Sequence, residues 1–213
     1  MLTLIGAPGL ETTSPAFRSE LVSMANRIGL NPDALAVVIS FETAGTFDPA
    51  QKNYAGSGAT GLIQFMPSTA KVLGTTTAEL ATMSAEEQLS YVEAYYKKTG
   101  KLQQIGSPLD HYLAVFSPKY VGHPPATPMY SKGSKAYEQN AGLDADGDGV
   151  ITVGDVGTKF MGLYKSSEAN PRIAVYDGSD ATTPMVASVG TVAALALTIY
   201  TLSRIRWHAR NSG

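Results

Sequence analysis

Residues 36–74 read AVVISFETAGTFDPAQKNYAGSGATGLIQFMPSTAKVLG, and this stretch determines how the rest of the chain is interpreted. Its first residues continue a helix that is predicted to begin after Asn31, a good N-cap, with Pro32 at the first helical position. The pattern places Glu42 near the C-terminal end of this helix. The apolar residues that define the helical spacing are Leu35, Val38 and Ile39.

Glu42 has apolar residues on both sides. Ile39 and Phe41 precede it in the helix, and Phe47 and Phe65 are available from the loop that follows. Desolvation disfavours a carboxylate, raises the carboxyl pKa and keeps a proton available for general acid catalysis. The alternative is a solvated glutamate that only ends a helix, and for a single isolated residue that alternative is the more frequent one.

Further elements follow Glu42 in a fixed order and within the same stretch. Several coupled elements make a far more specific signal than a lone glutamate. Together they resemble the central motif of the lytic transglycosylase family of the lysozyme superfamily, over about residues 17–121. The elements are Thr43, Phe47-Asp48-Pro49-Ala50, Asn53, Gly61-Leu62-Ile63-Gln64-Phe65 and Pro67-Ser68-Thr69-Ala70.

The resemblance implies a mainly α, lysozyme-like domain that cleaves peptidoglycan. Glu42 would protonate the β-1,4 glycosidic oxygen between N-acetylmuramic acid and N-acetylglucosamine, through an oxocarbenium-like transition state. In the family the same glutamate then acts as a base on the muramyl 6-hydroxyl, which gives a 1,6-anhydro product. Gln64 is expected to position the sugar, with Thr43 and Phe65 as further substrate-binding residues.

The chain departs from the family pattern at the end of the helix predicted over residues 107–116. The family has an Ala-Tyr-Asn motif there, and its Tyr and Asn are matched by Phe116 and Ser117. Tyr120 is expected to substitute for the missing hydroxyl, and both Phe116 and Tyr120 are predicted to bind substrate. Asp48 is expected to be structural; if it faced the substrate with room for a water molecule, inverting hydrolysis would be the better interpretation.

The other signals up to residue 135 predict helices and one irregular segment. Tyr91, Tyr95 and Tyr96 recur at helical spacing and are predicted to be core residues, with a sugar-binding surface as the alternative. His111 is predicted to lie at the surface or at the edge of the substrate groove, and the three prolines in residues 121–135 predict no regular structure. The predicted helices are 15–28, 31–42, 68–73, 77–83, 84–99, which begins with a capping box, and 107–116.

A second motif begins at Asp144 and has the spacing of an EF-hand calcium loop. Oxygen ligands fall at loop positions one, three, five, nine and twelve, glycine occupies position six, and position seven offers a backbone carbonyl. The loop resembles dockerin-type calcium loops, with aspartate rather than glutamate at the last position, and helices are predicted on both sides over residues 135–140 and 153–164. The predicted Ca²⁺ ligands are Asp144, Asp146, Asp148, Val150, Thr152 and Asp155.

Residues 185–203 form a stretch without charged side chains that is long enough to span a bilayer as a single helix. Basic residues follow it, which predicts a cytoplasmic C-terminus. A buried core helix is the alternative. The predicted organisation is therefore an N-terminal arm (1–14), a transglycosylase domain (15–132), a calcium unit (133–165), an exposed spacer (166–184), the transmembrane helix and a basic tail (204–213).

Composition excludes several other functions. The 213 residues include 16 basic and 18 acidic side chains, a net charge of −2, with no basic stripe until the last residues, so no nucleic acid partner is expected. Without cysteine, thiolate catalysis and disulfides are excluded.

The N-terminal residues do not form a Sec signal, and a wall-cleaving domain ahead of a membrane span therefore favours delivery from outside. We expect an enzyme in a bacteriophage virion membrane that acts on the peptidoglycan of the host wall during genome entry or lysis, with other virion proteins as possible neighbours. The alternatives are a hydrolytic muramidase, a cellular wall-remodelling enzyme, and a structural virion membrane protein that binds glycan without turnover.

Overall fold

The computed structural model describes residues 2–53 and 56–176. In these residues the chain is mainly helical, as predicted, with eight α-helices and two small antiparallel sheets. The helices are α1 (Pro15–Arg27), α2 (Pro32–Glu42), α3 (Pro67–Val72), α4 (Thr77–Leu80), α5 (Ala85–Lys98), α6 (Pro108–Phe116), α7 (Lys135–Asn140) and α8 (Val153–Ala169). The strands are β1 (Leu2–Leu4), β2 (Pro128–Ser131), β3 (Val150–Thr152) and β4 (Ile173–Val175).

Capping side chains set the beginnings of the predicted helices. Ser14 accepts the Phe17 N–H at the start of α1, and Asn31 accepts the N–H groups of Asp33 and Ala34 at the start of α2. Each cap satisfies backbone donors that have no partner inside the helix. Ser84 forms the predicted capping box at the start of α5. The helical predictions up to residue 116 are therefore confirmed, with boundaries that differ by a few residues.

Helix α2 lies at the centre of the molecule. Every residue from Ala34 to Glu42 is buried, so this helix has no solvent-exposed face beyond its first turn. A helix that is apolar on all sides is stable only when other elements surround it. Helices α1, α6 and α8 and strand β1 all pack against α2, and Glu42 is thereby carried into the interior.

An aromatic cluster joins α2, α6 and α8. The rings of Tyr112 and Phe160 stack with centroids 4.8 Å apart, and Phe41 packs edge-on against both, at 4.9 and 5.8 Å. Gly157 allows α8 to approach closely, since a Cβ there would lie 2.9 Å from the side chain of Leu109. The helix after the acidic loop is therefore part of the same core as the helix that carries Glu42.

The first residues do not form a peripheral arm, and that prediction is wrong. Strand β1 pairs with β4, and Leu4, Ile5 and Leu10 are buried in the core. The backbone N–H of Ile5 donates to Asp33 at the start of α2, at 2.8 Å. The sequence did not predict this pairing, because the two strands lie at opposite ends of the described chain and no local pattern connects them.

The spacer predicted from residue 166 is also wrong over the residues that the structure describes. Helix α8 continues to Ala169 rather than ending at Tyr164, and β4 follows almost at once. Arg172 then forms an ion pair with Asp33, at 2.9 Å. The remaining spacer residues, the predicted transmembrane helix and the basic tail lie outside the described residues. Within residues 2–53 and 56–176, every helix is too short or too polar to cross a membrane.

The segment 121–135 was predicted to lack regular structure, but it contains β2, which pairs with β3. Pro128 is the first residue of β2, a position where proline is tolerated because its missing N–H costs no central ladder bond. Met129 is buried beneath the sheet. The strand of the acidic loop, β3, therefore pairs with β2. The sequence shows no second calcium loop that could provide this partner strand.

His111 is buried, with 4% of its surface exposed, and the prediction of a surface position is wrong. Its Nε2 accepts the N–H of Asn31 at 3.0 Å, and its Nδ1 lies 2.8 Å from the carbonyl oxygen of Ser107. These partners require the neutral ring with the proton on Nδ1. Burial lowers the pKa of His111 below its ordinary value of 6.5, against the opposing effects of the Ser107 carbonyl and the Asp110 charge.

This lowered pKa predicts a loss of stability in mild acid. At pH values between the pKa of His111 in the folded protein and 6.5, the unfolded chain binds more protons than the folded chain. The free energy of unfolding therefore falls as the pH drops below 6.5, and the full value is kept at higher pH. His111→Gln keeps an acceptor near Asn31 but does not titrate, so its stability should depend less on pH in this window. Urea denaturation at a series of pH values measures the difference, with the exposed His123→Gln as the control. Parallel pH profiles for wild type and His111→Gln would contradict the assignment.

Candidate functional site

Glu42 is the last residue of α2 and is 4% exposed. Two features of this position disfavour the charged carboxylate: burial, and the partial negative charge at the C-terminal end of a helix. The chain leaves the helix in a Schellman motif, in which the Gly45 N–H donates to the Ser40 carbonyl at 2.8 Å. Ala44 adopts the left-handed conformation that this motif requires, with φ of 52°.

Thr43 closes the end of α2 with its hydroxyl group. The hydroxyl donates to the Ile39 carbonyl at 2.8 Å and accepts the N–H of Phe47 at 3.1 Å. Thr43 is fully buried, so it supports the position of Glu42 through the backbone. Thr43 is therefore a structural support of the site. Its hydroxyl hydrogen is already donated to the Ile39 carbonyl and is not available to a ligand.

Backbone strain is concentrated around Glu42. In the described chain the non-glycine residues with positive φ are Ala44, Phe47 and Gln64, at 52°, 51° and 53°. Each such conformation is unfavourable for a residue with a Cβ, and such residues cluster at functional sites. All of these positions belong to the motif that follows Glu42, which marks residues 43–53 and 56–66 as the candidate site.

Gln64 stabilises the turn between residues 61 and 64. Its amide group donates to the carbonyl oxygens of Gln51 and Gly61, at 3.1 and 3.0 Å. Thr60 and Phe65 exchange two backbone hydrogen bonds across the same turn. Both amide hydrogens of Gln64 therefore have partners in the protein, and a sugar hydroxyl can use only its carbonyl oxygen as an acceptor.

Helix α5 contacts the returning part of this motif through Tyr95. The Tyr95 ring packs edge-on against Phe65, with centroids 6.3 Å apart. Burial raises the pKa of Tyr95, and the charge of Glu42 raises it further. Burial also raises the pKa of Tyr96, and the Tyr95 and Glu42 groups add to this effect. Tyr95 therefore packs on Phe65 and lies within electrostatic range of Glu42.

The Tyr95 hydroxyl also completes α6. It donates to the carbonyl oxygen of Ala114 at 3.0 Å. In a continuing helix that carbonyl would accept the N–H of residue 118, but Pro118 has none. Tyr96 is fully buried and donates to the His111 carbonyl, which confirms its predicted core position.

The other predicted substrate residues, Phe116 and Tyr120, have partners within the protein. Phe116 is buried and packs against Tyr112 at 5.6 Å, next to the aromatic cluster. The Tyr120 hydroxyl donates to the Met129 carbonyl at 3.0 Å, so its hydrogen is used to hold β2. Asp48 is exposed, and its Oδ1 accepts the N–H of Ala50 at 2.8 Å, the turn contact of a structural residue.

The acidic loop brings three carboxylates together between α7 and β3. One carboxylate oxygen from each of Asp144, Asp146 and Asp148 lies within 4.8 Å of the others. Loop N–H groups orient these side chains: Gly147 and Gly149 donate to Asp144, at 2.9 and 3.0 Å. An all-oxygen set of this kind suits a hard cation such as Ca²⁺.

The remaining predicted ligands have structural partners. The Tyr137 hydroxyl donates to Asp144 and, through this bond first of all, lowers the pKa of the Asp144 carboxyl. Asp155 accepts the N–H of Thr152 at 2.8 Å and also its hydroxyl, so the two residues form the capping box of α8. Val150 begins β3, where it pairs with Ser131.

No protein-family model, curated protein or solved structure matches this chain. The functional assignment therefore rests on the residues of the site themselves. Two residues of α5, Tyr95, which packs on Phe65, and the buried amide Gln88, were not identified as site residues from the sequence. The signal for Tyr95 was the tyrosine stripe, whereas Gln88 carried no local signal beyond being polar on an apolar helix face.

The strained Ala44 gives a direct test of the local geometry. Ala44→Gly should raise the free energy of unfolding by about 0.5–1 kcal/mol, because relief of the left-handed conformation exceeds the added entropy of the unfolded chain. The control is Ala81→Gly at the end of α4, where φ is −66° and glycine should destabilise the protein. Urea denaturation of both variants measures the two changes. Destabilisation by both would contradict the left-handed assignment at Ala44.

Proposed function

We propose that this chain is a peptidoglycan lytic transglycosylase with a lysozyme-like catalytic domain. The observation that carries the proposal is the burial of Glu42, at 4% exposure, at the end of a helix. A pure glycan-binding module has no need of a desolvated acid at this position. The order of motif elements after Glu42 and the strain concentrated in them support the same assignment.

The proposed reaction begins with protonated Glu42. It donates its proton to the glycosidic oxygen, so that the bond from the muramic acid C1 breaks and the N-acetylglucosamine leaves with a free 4-hydroxyl. Glu42, now a carboxylate, accepts the proton of the muramyl 6-hydroxyl as that oxygen bonds to C1. The product is a 1,6-anhydro sugar, and the glutamate regains its proton without a second carboxylate.

Glu42→Gln should abolish lysis of purified peptidoglycan, because an amide of the same shape cannot donate the proton. Residual activity should fall below about one part in a hundred, in line with the loss of a general acid. The control is Glu138→Gln in α7, which is exposed and should leave activity unchanged. Mass spectrometry of the wild-type products should show anhydro ends. Ordinary reducing ends would identify a hydrolytic muramidase, and activity in Glu42→Gln would mean that another residue is the acid.

We also propose that the acidic loop binds Ca²⁺ in a structural role. The clustered oxygens of Asp144, Asp146 and Asp148 and the EF-hand spacing support this assignment. Residues Val150, Thr152 and Asp155 complete the proposed ligand set. Because α8 follows the loop and packs on α2 and α6, an ion bound here would stabilise the shared core.

Calcium should raise the thermal stability of the protein, and a chelator should remove the increase. Binding to the folded state alone adds about 2.7 kcal/mol at a free ion concentration of 100 times Kd. Asp146→Asn keeps an acceptor for the Asp148 N–H but loses a charge, so its melting temperature should respond less to calcium. Rates on soluble glycan fragments should stay within a few-fold. A melting temperature that does not change when calcium is added would contradict the structural role. Loss of turnover on adding a chelator, while the enzyme stays folded, would also contradict it.

The cellular setting proposed here rests on the sequence. The uncharged residues 185–203 would anchor the enzyme in a lipid membrane, and a phage virion membrane would bring the catalytic domain to the host wall. Detection of the intact protein in purified virions would support this setting. Its recovery only from bacterial membranes would favour a cellular wall-remodelling enzyme.

A further inference from the structure

Gln88 is a polar side chain of α5 whose two amide hydrogens and carbonyl oxygen all form hydrogen bonds. It is 0% exposed and lies on a helix face otherwise made of apolar and aromatic residues. Its Nε2 donates to the carbonyl oxygens of Pro49 and Leu80, at 2.7 and 2.6 Å, and its Oε1 accepts the N–H of Leu62 at 3.0 Å. An amide is the side chain of this size that offers two donors and an acceptor without a charge.

The turn at Gly61 fits directly over this amide. A Cβ at Gly61 would lie 2.4 Å from the Oε1 of Gln88, a distance at which something must move. Gly61 also has φ of 87°, a conformation that favours glycine. The close approach lets the neighbouring Leu62 N–H reach the amide, so the position of the turn is determined by Gln88.

The partners of Gln88 come from both halves of the candidate site. Pro49 belongs to the segment that leaves Glu42, and Leu62 belongs to the turn that carries Gln64. One carboxamide therefore holds the outgoing segment at Pro49 and the returning turn at Leu62 at a fixed separation. Tyr95, two turns further along the same face of α5, packs on Phe65 of the returning part.

We propose that Gln88 is a positioning residue for the reaction of Glu42, and this inference rests on the function proposed above. By holding the Pro49 and Leu62 backbones, it keeps the loop in the arrangement in which a glycan meets the acid. A displacement of about 1 Å far from the reacting atoms can lower a rate about a hundredfold. The alternative role, a buried amide that contributes only to stability, makes a different kinetic prediction.

The first test is Gln88→Met, which keeps the length of the side chain and removes all three hydrogen bonds. At a temperature where the variant is folded by circular dichroism, kcat on soluble glycan fragments should fall about 30- to 100-fold, with KM changed by less than about threefold. The control is Gln139→Met in α7, which packs on β2 and β3 and should leave kcat unchanged. A folded Gln88→Met with wild-type kcat and a lowered melting temperature would overturn the proposal.

The second test uses Gln88→Glu, and it tests the proposal even if Gln88→Met does not fold. An ionised carboxylate keeps the acceptor for Leu62 but has no hydrogen for Pro49 or Leu80, whereas the protonated acid regains one donor. The ratio of variant to wild-type kcat should therefore rise as the pH is lowered. A ratio that is independent of pH, or a variant that does not fold at any pH tested, would overturn it.

Wild type and Glu42→Gln are assayed on the same fragments as a separate check. If wild type does not cleave peptidoglycan, the proposed function fails, and the inference about Gln88 falls with it. If wild type cleaves and Glu42→Gln does not, an unchanged kcat in the Gln88 variants refutes only the positioning role.

Discussion

The carboxyl group of Glu42 lies at the end of a helix that is buried on every side, and the rest of the structure follows from accommodating it there. Burial and the negative end of the helix both oppose ionisation of this carboxyl group, and the proposed role as a general acid requires that it keeps its proton. A buried carboxyl group costs more free energy than an apolar side chain at the same position unless its partners and the packing around it offset the desolvation.

The elements around α2 explain how this cost is offset. The stacked rings of Tyr112 and Phe160 pack with the edge-on ring of Phe41, which immediately precedes Glu42. Pairing of β1 with β4 and the ion pair of Arg172 with Asp33 hold the other end of α2. The strained residues after Glu42 are then tolerated because tightly packed elements surround them.

Local signals in the sequence predicted much of this arrangement, because caps and helical spacing depend on neighbouring residues. Asn31 and Ser84 were identified as helix starts in this way, and Glu42 followed from the same pattern. Contacts between distant segments could not be predicted similarly.

The pairing of β1 with β4 and the hydrogen bond from Asn31 to His111 join residues far apart in the chain, and no periodic pattern reports them. The Gln88 amide was missed for the same reason, since its partners lie on three separate segments.

The protonation state of Glu42 tests the central claim most directly. Carbon-13 labelling of glutamate carboxyl groups, with the Glu42 signal assigned by its absence in Glu42→Gln, follows each group through a pH titration of the folded protein. The account predicts that the Glu42 carboxyl keeps its proton to a higher pH than the exposed glutamates in the same spectra. Ionisation of Glu42 together with those exposed groups would contradict the account, because a carboxylate in the free enzyme has no proton to donate.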